Sequence, residues 1–143
     1  MRMYLFVALL FIVVFGAFAD DRATTEANRI IRDFAKHEAL LGQPVPADFQ
    51  RTSADEFRSP DGLTMVKTGA NNRIFVVYMA AFFWTNSEAA RFRGLMYDFV
   101  ERSGGQRVAP NHYHMRNGNL SVIVEPPERH PDGGFVAGII IRG

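Results

Sequence analysis

The spacing of apolar residues changes several times along the chain, and each change predicts a different element. Residues 3–19 carry no charge, and Leu5-Phe6-Val7-Ala8-Leu9-Leu10-Phe11-Ile12-Val13-Val14-Phe15 is an unbroken apolar run. Residues 21–41 adopt helical spacing: Ala27, Ile30, Ile31, Phe34 and Leu41 form a stripe, with Arg29, Arg32, Asp33 and Lys36 off it. Gly42 and Pro44 stop that helix. Residues 42–61 hold Pro44, Pro46 and Pro60 and no sustained period, so they read as an irregular connector pinned by Phe49 and Phe57.

Residues 63–68 alternate and predict a strand, followed by the turn cluster Gly69-Ala70-Asn71-Asn72. Residues 74–83 are all apolar and rich in β-branched and aromatic side chains, which predicts a second strand. Residues 85–103 give the clearest helix. Thr85 and Glu88 make a capping box, and Phe92, Leu95, Met96, Phe99 and Val100 form the stripe. Gly104-Gly105 ends it. Residues 106–116 are strand-like, although Pro110 interrupts them. Asn117-Gly118 predicts a tight hairpin into a return strand at 119–125, and a loop then leads to a last strand at 135–142. The expected fold is α+β. An antiparallel five-stranded sheet carries two helices on one face, in the order α-β-β-α-β-β-β, over a single domain at 20–143, preceded by an apolar signal helix at 1–19.

A two-residue loop at Asn117-Gly118 sets Met115 opposite Leu120, His114 opposite Ser121 and Tyr113 opposite Val122. Tyr113, Met115, Leu120, Val122 and Val124 then share a core face, and His112, His114, Arg116, Asn119 and Ser121 share a polar one, with Ile123 the exception. Strand 74–83 differs, because both of its faces are apolar and both need cover. The helices supply one cover. The other falls to the connector at 42–61, a protein partner, a second copy of the chain or an enclosed ligand. Phe75, Val77, Met79 and Phe83, with Trp84 at the junction to the helix, form the candidate partner surface.

Charge and cysteine content narrow the class. The chain has 16 basic and 15 acidic residues, and Arg2 is the one charged residue among the first nineteen. Such a balance lacks the basic footprint of a nucleic-acid binder. No cysteine is present, which excludes thiol catalysis and cysteine metal sites and favours a periplasmic over a disulfide-bonded secreted domain. Arg2, the apolar run and the small residues Ala17 and Ala19 around Phe18 match a signal peptide cleaved before Asp20. The alternative is an uncleaved single-pass anchor in the inner membrane with the domain outside, since residues 3–19 are at the short limit for a hydrocarbon core of roughly 30 Å. Membrane contact is expected only through that segment.

Candidate chemistry is sparse. His112 and His114 lie two apart on a strand, so they point the same way and could share a metal or small ligand with Arg116 and Ser121 on that face. Without a third ligand, polar strand surface is the simpler reading. Ser121 and His114 lack the acid partner of a catalytic triad. His37, on the first helix, is expected in solvent. No cofactor motif is present, and no catalytic residue is assigned.

The β-α-β-β order of 73–125, with Val77-Tyr78-Met79-Ala80-Ala81-Phe82-Phe83 followed by Ser87-Glu88-Ala89-Ala90, resembles the small periplasmic SPOR domains that bind peptidoglycan. The second helix of that family is missing here. From the two-sided apolarity of 74–83 and the absence of a reactive constellation, the expected function is an exported, non-catalytic binding or assembly module with a protein partner or homodimer and no nucleic acid. The alternatives are an anchored envelope subunit, or a metal- or ligand-binding protein using His112 and His114.

Overall fold

The computed structural model of the chain describes residues 22–143. The segment expected to be a signal or an anchor, residues 1–19 with Ala17 and Ala19, lies outside the described residues. No helix among the described residues is long and apolar enough to cross a membrane.

Helix α1 (Arg22–Glu38) leads through a turn region to strands β1 (Gln50–Arg51), β2 (Glu56–Arg58), β3 (Thr64–Thr68) and β4 (Ile74–Phe83). Helix α2 (Asn86–Arg102) leads to β5 (Gln106–Ala109), β6 (His112–Met115), β7 (Leu120–Arg129) and β8 (Phe135–Arg142). All eight strands form one antiparallel sheet in the order β1-β2-β3-β4-β8-β7-β6-β5.

The five-stranded expectation is thus corrected to eight strands and a mostly β fold, which also departs from the SPOR-like β-α-β-β order. The connector hides β1 and β2, whose two and three residues are too short to display a period of two. Run 106–116 is itself a hairpin: Pro110 and Asn111, the latter at φ +65°, turn the chain between β5 and β6. Strand β7 continues past Glu125, because a register shift between Glu125 and Glu128 accommodates Pro126 and Pro127, which have no N–H to donate.

The strand order is a palindrome about the β4–β8 pair, and each half is a helix followed by four strands. The helices repeat as well. Both have 17 residues, and Ala23, Ile30 and Phe34 in α1 match the spacing of the buried Ala89, Met96 and Val100 in α2. Thr85 caps α2 as its sequence predicts: its Oγ1 accepts from Glu88 N at 3.2 Å and donates to the Glu88 carboxylate at 3.0 Å.

Both helices lie on one face of the sheet. They bury Val66, Val77, Met79, Ala81, Phe83, Tyr113, Met115, Leu120, Val122, Val124, Ala137, Ile139 and Ile141 in a single core. A full-sized aliphatic or aromatic side chain buried in this way contributes about 1.5–3 kcal/mol relative to exposure. Two arginines of α1 complete the polar accounting. Strand β3 stops opposite Met79, so the carbonyls of Ala80 and Phe82 extend beyond the ladder. Arg29 donates to Ala80 O at 2.8 Å, and Arg22 donates twice to Phe82 O at 2.9 and 3.1 Å.

Candidate functional site: the open face of the sheet

The face opposite the helices has no layer over it among the described residues. Strand pairing aligns its side chains in rows that cross the sheet. One row is Arg58, Met65, Tyr78, Ile140, Ile123 and His112, on β2, β3, β4, β8, β7 and β6. A neighbouring row is Glu56, Lys67, Val76, Arg142, Ser121 and His114. On the other side come Ala80, Gly138 and Glu125, then Phe82, Val136 and Glu128. The apolar centre is therefore flanked by cations on one side and carboxylates on the other.

A groove of about 450 Å³ runs along this face over Val76, Tyr78, Ile123, Val136 and Ile140, with Lys67, Glu125, Glu128 and Arg142 also lining it. A smaller depression of about 200 Å³ continues it along Met65, Tyr78 and Val136 to Phe82 and His130. A third, of about 210 Å³, sits at the aromatic corner of Phe82, Phe83, Trp84 and Phe135. Phe75 is 46%, Phe82 40% and Trp84 75% exposed along this path.

Tyr78 is the centrepiece because Gly138 makes room for it. A Cβ at residue 138 would stand 2.6 Å from Met79 O and 2.7 Å from the Tyr78 ring, so only glycine lets that ring lie across β8. Burial pushes the Tyr78 hydroxyl above its usual range, and the nearby Glu125 and Glu128 carboxylates push it the same way. The hydroxyl therefore stays protonated as a neutral donor. Among the described residues Arg142, Glu125 and Glu128 form no ion pair, whereas Lys67 is paired with Glu56 at 3.3 Å.

The candidate residues read from the sequence are divided between the faces. Val77, Met79 and Phe83 face the helices and are buried; Phe83 packs on Phe92 with ring centroids 5.2 Å apart. Phe75 escapes that face because the register shifts between Lys67 and Thr68, which buries Ile74 and leaves Phe75 exposed at the end of the groove. Trp84 protrudes at the opposite end. The open apolar surface thus centres on Tyr78, Ile140, Ile123 and Val136. Alternation along 74–83 could not choose between two greasy faces. The one signal pointing to Tyr78 was the lone glycine inside a β-branched strand at 138.

His112 and His114 do share the open face, with ring centroids 5.2 Å apart, and His112 Nε2 is buried with no hydrogen-bond partner among the described residues. Ser121 stands opposite His114. Arg116 turns away: it lies in the left-handed turn 116–118 and pairs with Glu38 of α1 at 3.1 Å. His130 does not join the histidines but packs edge-on against Phe82 at 5.7 Å. Among the described residues no three His, Asp or Glu side chains gather in a metal-binding group. His37 is partnered, contrary to the expectation of a solvated side chain. Its Nδ1 donates to Asp33 O at 2.8 Å, which leaves Nε2 of the neutral ring to accept from Thr64 Oγ1 at 3.1 Å, tying α1 to β3.

A depression of about 590 Å³ separates α1 from the connector, but much of its polar lining bonds within the chain. Asp61 accepts from Ser59 Oγ and Leu63 N, and these bonds hold its carboxyl below the usual carboxylate range. Compared with known proteins, the chain matches no family model, no curated protein sequence and no solved structure, so its site is read from its own geometry.

Proposed function

We propose that the chain is a non-catalytic binding or assembly module that receives a protein partner on the open face of its sheet. The observation that carries this reading is the row Met65–Tyr78–Ile140–Ile123, half-exposed and continuous with exposed Phe75, Phe82 and Trp84. Contiguous apolar surface of this kind marks interaction sites more often than idle surface. A photo-crosslinking residue in place of Ile123, in the cell that makes the protein, should yield a discrete protein adduct. The same residue in place of exposed Asp98 on α2 should yield none. Equal adducts at both positions, or none at either, would sink the reading.

Residues 1–19 support placing this module beyond the inner membrane, in the periplasm or secreted. Intact mass of the protein from its own cell should correspond to a chain starting at Asp20, and a start at Met1 overturns cleavage. A second reading, metal or small-ligand binding at His112 and His114, is favoured by the unpartnered His112 Nε2. Zinc titration by calorimetry should then give a signal that His112→Ala abolishes. No heat above dilution removes this reading.

A further inference from the structure

We infer that the partner of the open face is a second copy of this chain, an inference that rests on the open-face reading above. The charges on that face are self-complementary. Arg142 lies two residues along β8 from Ile140 on one side of the apolar row, and Glu125, paired with Gly138, lies two residues along on the other. The Arg142 and Gly138 positions are about 14 Å apart along the strand. A two-fold axis running along the row Tyr78–Ile140–Ile123 exchanges these two sides. It sets Arg142 of one copy over Gly138 of the other, next to Glu125 and one row from Glu128, twice per dimer, and stacks the two apolar rows. All three charged groups are without an ion-pair partner in the single chain among the described residues.

The layering agrees with this. Sheets pack face to face about 10 Å apart with strands nearly aligned. Two copies joined in this way form four layers, helices outside and both open faces inside. Four strands spanning Arg142 to Val136 define a patch of roughly 20 by 20 Å, about 800 Å² over the two copies and below the about 1,000 Å² of a stable contact, so the association is weak and reversible and charge register rather than area sets the pairing. A formal net charge of +1 keeps long-range repulsion between copies small.

Charge-reversal pairing in the full chain, followed by sedimentation and light scattering, tests the proposal. Wild-type protein should associate reversibly to a dimer, more weakly as salt rises. Arg142→Glu alone, and Glu125→Lys/Glu128→Lys alone, should each weaken dimerisation about tenfold or more, since each faces like charge across the dyad. An equimolar mixture of the two variants should recover dimers, because the reversed charges then meet their opposites. Recovery also shows that both variants are folded. Wild-type monomer at every concentration, dimers indifferent to these changes, or a mixture that stays monomeric overturns the second copy as occupant. A foreign protein crosslinked at residue 123 would then still sustain the broader reading, whereas a bare residue 123 would remove both.

Discussion

Ile139 and Ile140 are neighbours on β8 with the same side chain. Ile139 is wholly buried beneath the helices, while Ile140 is half-exposed in the middle of the open face. The same contrast holds across the central strands: Val66 against Met65, Met79 against Tyr78, Val122 against Ile123. One step along a strand moves a residue from the face that holds the domain together to the face available for binding. The core face and the proposed recognition face are thus interleaved in sequence and separated in space. Apolarity alone does not distinguish them, since the open face is nearly as greasy at its centre as the core.

The sharpest way to break this contrast is to truncate the two isoleucines. Ile139→Ala should lose about 2–5 kcal/mol in denaturant unfolding, the cost of a cavity in a packed core. Ile140→Ala should lose less than about 1 kcal/mol while weakening association. Equal losses at the two positions would mean that the open face is structural.

A smaller loss, about 1–3 kcal/mol, is expected for Gly138→Ala, because the added methyl meets Met79 O and the Tyr78 ring. Combining it with Tyr78→Ala should recover only the part due to the ring. Full recovery would show that the backbone approach contributes nothing.

The two tyrosines extend the comparison to hydrogen bonds. Tyr113 is buried on the core face and donates to Glu101 at 2.9 Å, so Tyr113→Phe should cost about 1 kcal/mol. Among the described residues Tyr78 has no such bond, and Tyr78→Phe should change stability by less than about 0.5 kcal/mol. A larger effect of Tyr78→Phe in thermal unfolding would reveal a partner for its hydroxyl.

The last contrast is a difference in pH dependence. Desolvation, aided by the Glu101 hydrogen bond, pushes Tyr113 up to about 12 from its ordinary 10.0. A pKa raised by folding stabilises the protein fully below the unfolded value and loses that contribution as pH rises through the folded one. Stability should therefore fall between pH 10.0 and about 12, and less steeply in Tyr113→Phe. Tyr78 is raised in the same direction. In Glu125→Gln/Glu128→Gln its tyrosinate absorbance should appear at lower pH, because two like charges are gone. An unchanged titration would place those carboxylates too far away to act.

Local physics made much of the chain legible. The capping box at Thr85 and Glu88, the stripe of α2, the limits of β8 and the pairing of Met115 with Leu120 all follow from short-range spacing. So do the core residues Tyr113, Val122 and Val124, because one face of that hairpin is apolar and the other polar. The strands of the connector were not legible, since β2 exists only through pairing onto β3 and β1 only through pairing onto β2. Nor was the duplicated architecture, because the halves share burial spacing rather than residues: Ala23, Ile30 and Phe34 against Ala89, Met96 and Val100.

What the amino-acid order determined by itself was which residues share a stripe or a strand face, since helix and strand periods are local properties of the backbone. Which of two apolar faces meets the helices was decided by the tertiary structure alone. The pairing of β4 with β8 and the passage of Tyr78 over Gly138 join residues dozens of positions apart, and the register shift beside Thr68 turns Phe75 away from the helices. Alternation divides a greasy strand into two sets, and only long-range packing says which set is left for another molecule.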